Sequence, residues 1–122
     1  VSGDFGGTWT LTRIVGPAKA RELYLLCEKF SASEAELMGL ITRALPDSHL
    51  MSTVYDVATK IANSAPLALQ GIKKNFNDAL RVSFSEALDL EAERHTQCSL
   101  SEDATEAATA FMEKREPIFK GK

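Results

Sequence analysis

The sequence predicts a mostly α-helical protein with one short extended segment. Apolar residues recur three and four positions apart along most of the chain, which is the period of a helix with one buried face. Serine, glycine and proline residues separate these runs, at the positions where helices usually begin and end. Of the 122 residues, 44% are hydrophobic and 25% are charged, a composition typical of one folded domain and not of a disordered or fibrous chain.

The first two helices are predicted on either side of a Gly-Pro pair. A helix that begins at Gly7 or Thr8 stops at Gly16, because the proline that follows cannot continue its hydrogen bonding. Pro17 suits the first turn of a second helix. Residues 18–27 carry apolar side chains on more than one face, so we expect more than one neighbour to bury this helix.

A short helix and the extended segment follow. The stretch Ser33-Glu-Ala-Glu36 matches a capping box, which predicts a helix start there, and the helix ends near Met38. Residues 40–45 predict a strand that Pro46 terminates. A single strand cannot satisfy its own backbone hydrogen bonds, so it either pairs with a segment outside this chain or is an extended connector.

The second half of the chain predicts four more helices. The first covers about residues 48–63, and the second runs from Pro66 to about residue 80. The third begins with a capping box at Ser83 and Glu86, and the fourth runs from Ser101 to Met112. Gly71 lies inside the second of these. A glycine there costs about 1 kcal/mol relative to alanine, which suggests close packing at that position.

Charge and cysteine content exclude several classes of protein. The 14 basic and 17 acidic residues give a net charge of −3, with no basic patch for nucleic acid. No apolar run approaches the roughly 20 residues that span a bilayer. Two histidines and two cysteines, all far apart, do not form a metal site. We interpret Cys27 and Cys98 as reduced packing thiols of a cytoplasmic protein.

The strongest local feature is the glycine-rich opening, residues 2–9, in which Asp4 lies inside a predicted turn before a helix. A carboxylate beside an apolar ligand can act as a general base. The structural alternative is that Asp4 caps the helix or forms an Asx turn. By pattern alone His95 is a partly buried packing residue, and Phe111 and Met112 belong to the core. A glycine-rich loop at a chain end also suggests a sequence that begins within a domain.

Over its whole length the chain resembles the C-terminal portion of the crotonase (enoyl-CoA hydratase/isomerase) superfamily. The stretches that carry the resemblance are Gly3-Asp-Phe-Gly-Gly-Thr-Trp-Thr-Leu-Thr-Arg-Ile-Val-Gly16, Ala20-Arg-Glu-Leu23, Phe30-Ser-Ala-Ser-Glu-Ala35, Met38-Gly-Leu-Ile41, Ser64-Ala-Pro-Leu-Ala-Leu69, Ser101-Glu-Asp103 and Ala110-Phe-Met-Glu-Lys-Arg-Glu-Pro117. Thr12 departs from the proline that the family often has there. Residues 20–27 are similar to the naphthoyl-CoA synthase branch and the C-terminal stretch to ordinary hydratases, so the subfamily stays open.

The resemblance implies the C-terminal part of a ββα spiral fold with a helical trimerisation region. Residues 1–62 would end the spiral core, and residues 63–122 would form the trimerisation and coenzyme A-contacting region. An N-terminal half with the oxyanion-hole amides would precede this chain, which alone would be incomplete and inactive. The implied function is hydration or isomerisation of enoyl-CoA thioesters through an oxyanion-stabilised enolate. The alternative is a non-catalytic helical oligomerisation module derived from the same family.

The resemblance also implies roles for particular residues. Asp4 lies where dienoyl-CoA isomerases, ring-opening enoyl-CoA isomerases and aryl-CoA dehalogenases have their catalytic aspartate, and simple hydratases tend to have glycine there. The other implied positions are Gly3, Trp9 and His95 for substrate binding, with Phe111 on the adenine and Lys114 on the phosphates of coenzyme A. Coenzyme A would be part of the substrate, with no tightly bound cofactor and no metal. The expected assembly is a homotrimer or a dimer of trimers.

Overall fold

The computed structural model describes residues 2–122, and Val1 lies outside the described residues. The described residues form six helices. These are α1 (Gly7–Leu26), α2 (Ala32–Leu37), α3 (Asp47–Ala62), α4 (Pro66–Ala79), α5 (Phe84–Ser99) and α6 (Glu102–Glu113). They group into two compact units that divide after Met51. Most ends of the predicted helices are confirmed to within one or two residues.

Helix α1 is bent sharply at its centre. Gly16 has φ 80° and ψ 162°, a conformation that lies outside the helical region and that only glycine adopts readily. The two predicted helices on either side of Gly16-Pro17 are therefore confirmed as two arms, residues 7–15 and 17–26. The bend turns the second arm back along the first, because Tyr24 contacts Gly7 although a straight helix would separate them by about 26 Å.

The cap of α2 lies two residues earlier than predicted. The Ser31 hydroxyl accepts a hydrogen bond from the Glu34 amide at 3.2 Å, and the Glu34 carboxylate accepts from the Ser31 amide at 2.7 Å. These bonds lower the pKa of Glu34. The prediction of a box at Ser33 and Glu36 was wrong because the sequence offers two overlapping boxes, and the Glu36 carboxylate accepts from the Ala44 amide at 2.9 Å instead.

The predicted strand at residues 40–45 is not formed in the described part of the chain. The Leu40 and Ile41 amides both donate to the Ala35 carbonyl, at 2.9 and 3.3 Å, so they complete the end of α2. The Ala44 amide is bonded to the Glu36 side chain. Since these donors are engaged locally, none of them is left for a strand partner, and the segment is a connector with bends at residues 40–42.

In the second unit α4 packs against α5, and α5 contacts α6. Arg94 of α5 joins this helix to α4 by donating to Asn75 Oδ1 at 2.7 Å and to Asp78 Oδ2 at 2.6 Å. Gly71 faces the same interface, but a β-carbon added there would lie 3.8 Å from Arg94 Cβ and from Cys98 Sγ. That is ordinary van der Waals distance, so the packing at Gly71 is less tight than the sequence suggested.

Burial is sparse among the described residues. The buried apolar residues are Ala20, Ala35 and Ala110, and Asp103 is the buried charged residue. The second arm of α1 is not covered as predicted, since Leu25 is 79% exposed. Phe111 and Met112, expected in the core, are about four-fifths exposed, at 82% and 79%. The apolar stripes are present, but most of them are left uncovered by the other described residues.

The segment after α6 returns along that helix and is bonded to it. Arg115 donates to both carboxylate oxygens of Glu106, at 2.6 and 3.0 Å, and the Ile118 amide donates to Glu106 at 2.9 Å. These contacts, the Arg115 bond above all, lower the pKa of Glu106 to about 2. Arg115 also pairs with Glu113 at 2.6 Å. The ion pairs raise the pKa of the Arg115 guanidinium.

Candidate active site

The Asp4 turn, residues 4–7, is the centre of the candidate site. The Gly7 amide donates to the Asp4 carbonyl at 2.8 Å and closes a four-residue turn. Phe5 and Gly6 between them have φ of 49° and 74°, the positive values of a mirror-image turn. Glycine adopts such a φ readily, whereas phenylalanine adopts it at a steric cost of about 1–2 kcal/mol. The turn therefore holds one residue in an unfavourable conformation directly beside Asp4.

The Asp4 carboxylate neither caps a helix nor forms an Asx turn. Gly6 is the N-cap of α1, and no side chain caps that helix. Among the described residues, no hydrogen bond or ion pair reaches the exposed Asp4 side chain. A capping or Asx-turn aspartate would accept a backbone amide with its carboxylate, and this one does so only with its main-chain oxygen.

Exposed aromatic side chains lie on the same short segment as Asp4. Phe5 is completely exposed, at 101% relative to a reference chain, and Trp9 of the first helical turn is 53% exposed. The Arg13 guanidinium lies 3.6 Å from the centre of the Trp9 ring, a cation–π contact that orients the indole. Gly3, Asp4 and Trp9, which the sequence singled out, lie on this one short segment of the first unit.

Tyr24 also belongs to this site, although the sequence treated it as part of a buried stripe. A β-carbon added at Gly3 would lie 3.7 Å from Tyr24 Cε1, and one added at Gly7 would overlap the Tyr24 hydroxyl. The tyrosine side chain therefore lies against the turn. The sequence signal was the spacing, since Gly7 and Tyr24 stand nine and eight residues from Gly16 on the two arms of α1.

His95 lies on α5 in the second unit and is exposed, so the prediction of a partly buried packing residue was wrong within this chain. It lines an apolar cavity of about 230 Å³ together with Leu67, Cys98 and Ala107. The neighbouring Arg94 makes the polar contacts between α5 and α4. An exposed imidazole at the mouth of an apolar cavity is free to contact a ligand or another protein surface.

Phe111 and Lys114 lie together at the C-terminal end of α6. Lys114 is the C-cap residue, with φ 55° and its amide bonded to the Ala110 and Phe111 carbonyls. Both side chains are exposed, and Phe111 is 82% exposed. The neighbouring Arg115 is engaged by two carboxylates, whereas no ion pair is recorded for Lys114 among residues 2–122. The aromatic ring and the cation are thus both available to a ligand.

A metal site and a membrane-spanning helix are both absent from residues 2–122. No group of three or more histidine, cysteine, aspartate or glutamate side chains is arranged to hold a metal ion in that part of the chain. No helix within it is both long enough and apolar enough to cross a bilayer. Both cysteines are free thiols; Cys98 is partly buried, and Cys27 is exposed, so the packing role predicted for Cys27 was wrong.

Comparison with known proteins gives the family context. The family model described as enoyl-CoA hydratase/isomerase matches residues 1–122. A short-chain-enoyl-CoA hydratase of Clostridium acetobutylicum is 36% identical over 94% of this chain and 44% of its own length. A 1,2-epoxyphenylacetyl-CoA isomerase of Escherichia coli K12 is 36% identical over 98% of this chain and 45% of its own length.

A solved structure gives the same result in three dimensions. The crystal structure of a probable enoyl-CoA hydratase/isomerase from Mycobacterium abscessus superposes on all of this chain with a TM-score of 0.92 and 35% identity, and 48% of that protein is covered. The chain spans about half the length of the relatives it matches. The match of sequence and backbone over the full 122 residues shows that this chain belongs to the enoyl-CoA hydratase/isomerase family.

Proposed function

We propose that this chain is the C-terminal part of an acyl-CoA enzyme that hydrates or isomerises enoyl-CoA thioesters, with Asp4 as its proton-transferring residue. The observation that carries the proposal is the Asp4 carboxylate itself, which is exposed and makes no hydrogen bond or ion pair with the described residues, although it stands on a turn with a strained residue beside it. A carboxylate that performs no structural task on a strained turn is typical of a functional position.

The chemistry follows from an exposed carboxylate that performs no structural task in the described part of the chain. In an isomerisation, Asp4 takes a proton from one carbon of the acyl chain, and the electron pair of that bond moves toward the thioester oxygen as an enolate. The same proton returns to the carbon at the far end of the shifted double bond. In a hydration, the hydroxyl of water adds to the β-carbon and its proton ends on the α-carbon. Either path needs donors at the enolate oxygen, which we assign to backbone amides in a half upstream of this chain.

The second unit contacts the coenzyme A bound to a neighbouring subunit in this proposal. Lys114 is an exposed cation with no recorded ion pair, which suits a phosphate, and Phe111 offers an exposed aromatic face for the adenine. His95 beside an apolar cavity would contact a polar acyl group. Coenzyme A is then part of the substrate and not a resident cofactor.

We extend the proposal to the organisation of the chain. Residues 1–62 would be the end of the spiral core, and residues 63–122 would be the trimerisation and coenzyme A-contacting region. The assembly would be a cytoplasmic trimer or dimer of trimers.

The decisive experiment is Asp4→Asn in the complete protein that contains this chain. With crotonyl-CoA and a panel of other enoyl-CoA thioesters, we expect kcat/KM to fall by at least about 100-fold, because general acid–base catalysis contributes about 100-fold to 10,000-fold. The matched control is Asp47→Asn, which removes the same charge from an exposed position in the same unit. The control should leave turnover unchanged.

Unchanged turnover in Asp4→Asn would contradict the assignment of Asp4. Absence of turnover by the unmodified complete protein on every thioester would contradict the proposed activity and leave the alternative of a non-catalytic oligomerisation module, which no observation on the described residues favours. The length of the open reading frame upstream of Val1 gives an independent check. A frame of about equal length that encodes paired amide loops would agree with the enzyme, and a start codon close to Val1 would agree with the module.

A further inference from the structure

The side chain of Tyr24 forms the support on which the Asp4 turn rests. Its ring lies against Gly3 on one side of Asp4, and its hydroxyl lies against Gly7 on the other. A β-carbon at Gly3 would also lie 3.1 Å from Thr8 Cγ2, closer than such contacts usually are. A side chain at Gly7 would therefore collide with Tyr24, and one at Gly3 would be crowded by Thr8. Tyr24 is 38% exposed, so the remainder of its ring faces solvent.

The bend at Gly16 is what brings this side chain to the turn. Gly7 is nine residues before Gly16 and Tyr24 is eight residues after it, so both lie about 12–14 Å from the bend along their arms. Arms of equal length that fold back on each other place Tyr24 beside Gly7. The second arm thus ends at the first turn of α1, and the support is produced by the hairpin itself.

The turn has little else to hold it among the described residues. One backbone bond, from the Gly7 amide to the Asp4 carbonyl, closes it. No side chain caps the helix at Gly6, and Phe5 at its tip is fully exposed at a φ of 49°. Exposed turns with few contacts open easily, with free energies near zero. A packed aromatic ring opposes such opening.

We propose that Tyr24 is a positioning residue that keeps the Asp4 turn closed through the contact of its ring with Gly3 and Gly7. The role of this contact in turnover rests on the proposed function of Asp4, whereas the contact itself does not. The Tyr24 hydroxyl has no recorded hydrogen bond within residues 2–122, so the support is by packing. Phenylalanine at position 24 loses the hydroxyl that lies against Gly7 but retains the ring beside Gly3, and with it we expect most of the support.

Gly7 provides a steric probe of this contact. It lies at the first position of α1 and is not among the residues of positive φ, so its backbone accepts alanine. The added β-carbon overlaps the Tyr24 hydroxyl, while its next neighbour, Tyr24 Cζ, lies 3.5 Å away at ordinary contact distance. Gly7→Ala must therefore displace the tyrosine from the turn. The double variant Gly7→Ala/Tyr24→Phe removes the overlapping atom and restores the packing.

The experiment measures four variants in the complete protein with its best enoyl-CoA thioester. Tyr24→Ala and Gly7→Ala should each lower kcat by about 10-fold to 100-fold with KM changed less than about 3-fold, because misplacement of a catalytic group by about 1 Å can cost 100-fold. Tyr24→Phe and the double variant should both stay within about 3-fold of the unmodified kcat. A general loss of folding would lower all four activities together with the melting temperature. Tyr24→Ala and Gly7→Ala at unmodified kcat would overturn the role in turnover, and so would a double variant as slow as Gly7→Ala.

A second measurement separates this proposal from the proposed function. Amide hydrogen exchange at Gly7 reports closure of the turn directly, because that amide donates to the Asp4 carbonyl. Exchange should be at least about 10-fold faster in Tyr24→Ala than in Tyr24→Phe, whatever the activity of Asp4→Asn. If Asp4→Asn is fully active and exchange still differs, the function of Asp4 fails and the support stands. Equal exchange in the two Tyr24 variants overturns the support.

Discussion

Replacement of Asp103 by asparagine tests the contact that fixes the C-terminal segment to α6. Asp103 is 3% exposed, and its two carboxylate oxygens accept separate amides, from Lys120 at 2.7 Å and from Gly121 at 2.8 Å. Asparagine has the same shape but only one acceptor oxygen. Whichever way its amide group is turned, one of the two backbone amides loses its acceptor and faces a second donor.

The size of the effect follows from these contacts. A hydrogen bond to a charged group contributes about 1.5–3 kcal/mol, and an unsatisfied buried donor adds to the loss, so Asp103→Asn should lower the free energy of unfolding by about 2–4 kcal/mol. The change also removes a negative charge from the first turn of α6, where such a charge is worth about 0.3–1 kcal/mol. The total loss of unfolding free energy minus this helix-end charge effect is the stabilisation that comes from the contacts with the C-terminal segment.

Glu102→Gln provides the matched control. Glu102 lies in the same first turn, but its side chain is 69% exposed, and its single recorded ion pair is a long contact of 3.9 Å to Lys122. The two variants therefore lose the same charge at the same helix end, and only one of them loses buried amide contacts. Glu102→Gln should cost less than about 1 kcal/mol.

Urea unfolding followed by circular dichroism gives the two free energies, and amide exchange at Lys120 and Gly121 locates the effect. We expect exchange at both amides to accelerate in Asp103→Asn and to stay unchanged in Glu102→Gln. Equal losses of stability in the two variants would show that helix-end charge accounts for the whole effect. The reasoning from the buried carboxylate would then be refuted.

Two further predictions concern the helices of the second unit. Gly71→Ala should raise the free energy of unfolding by about 0.5–1 kcal/mol in urea titrations, because alanine restricts the unfolded chain. Its β-carbon would lie at an ordinary contact distance of 3.8 Å from Arg94 and Cys98. A loss of stability would show that the interface with α5 is tighter than this distance implies. Glu106 has its pKa lowered to about 2 from an ordinary 4.5, so its contribution to stability is complete above about pH 5 and is lost as the pH falls toward 2. The difference in urea midpoint between the unmodified chain and Glu106→Gln should therefore be constant from about pH 7 to 5 and should shrink below that range, and a difference that persists at about pH 2 would contradict the role of the carboxylate.

Local sequence chemistry predicted most of the secondary structure because its causes are local. The bend at Gly16 and the serine caps at Ser83 and Ser101 depend on a few neighbouring residues, and both serines accept the expected amides, at 3.3 and 3.1 Å. The choice between the overlapping boxes at Ser31 and Ser33 was not local. It depended on the Glu36 carboxylate finding the Ala44 amide eight residues away.

Burial could not be predicted from this chain in the same way. Periodicity shows which face of a helix is apolar, but only a neighbour decides whether that face is covered. Ile72, Phe76 and Leu80 form a regular stripe on α4 and are 50%, 73% and 58% exposed, and Phe84 at the start of α5 is 84% exposed. The stripe was predicted correctly and its burial was not, since the partner surface is not among the described residues.

The candidate site combines both kinds of cause. Three glycines serve it for three different reasons: Gly16 adopts a backbone conformation that bends α1, Gly7 leaves room for the Tyr24 hydroxyl, and Gly6 completes a turn of positive φ. Each is a local property that the sequence displays. Their joint effect appears only when the two arms of α1 fold back, because the residue that supports Asp4 is 20 positions away in sequence and beside it in space. The position of the catalytic candidate is thus determined by the length of the two arms, so an insertion of one residue between Gly16 and Tyr24 would rotate the tyrosine by about 100° around its helix and remove the support without altering any residue of the turn.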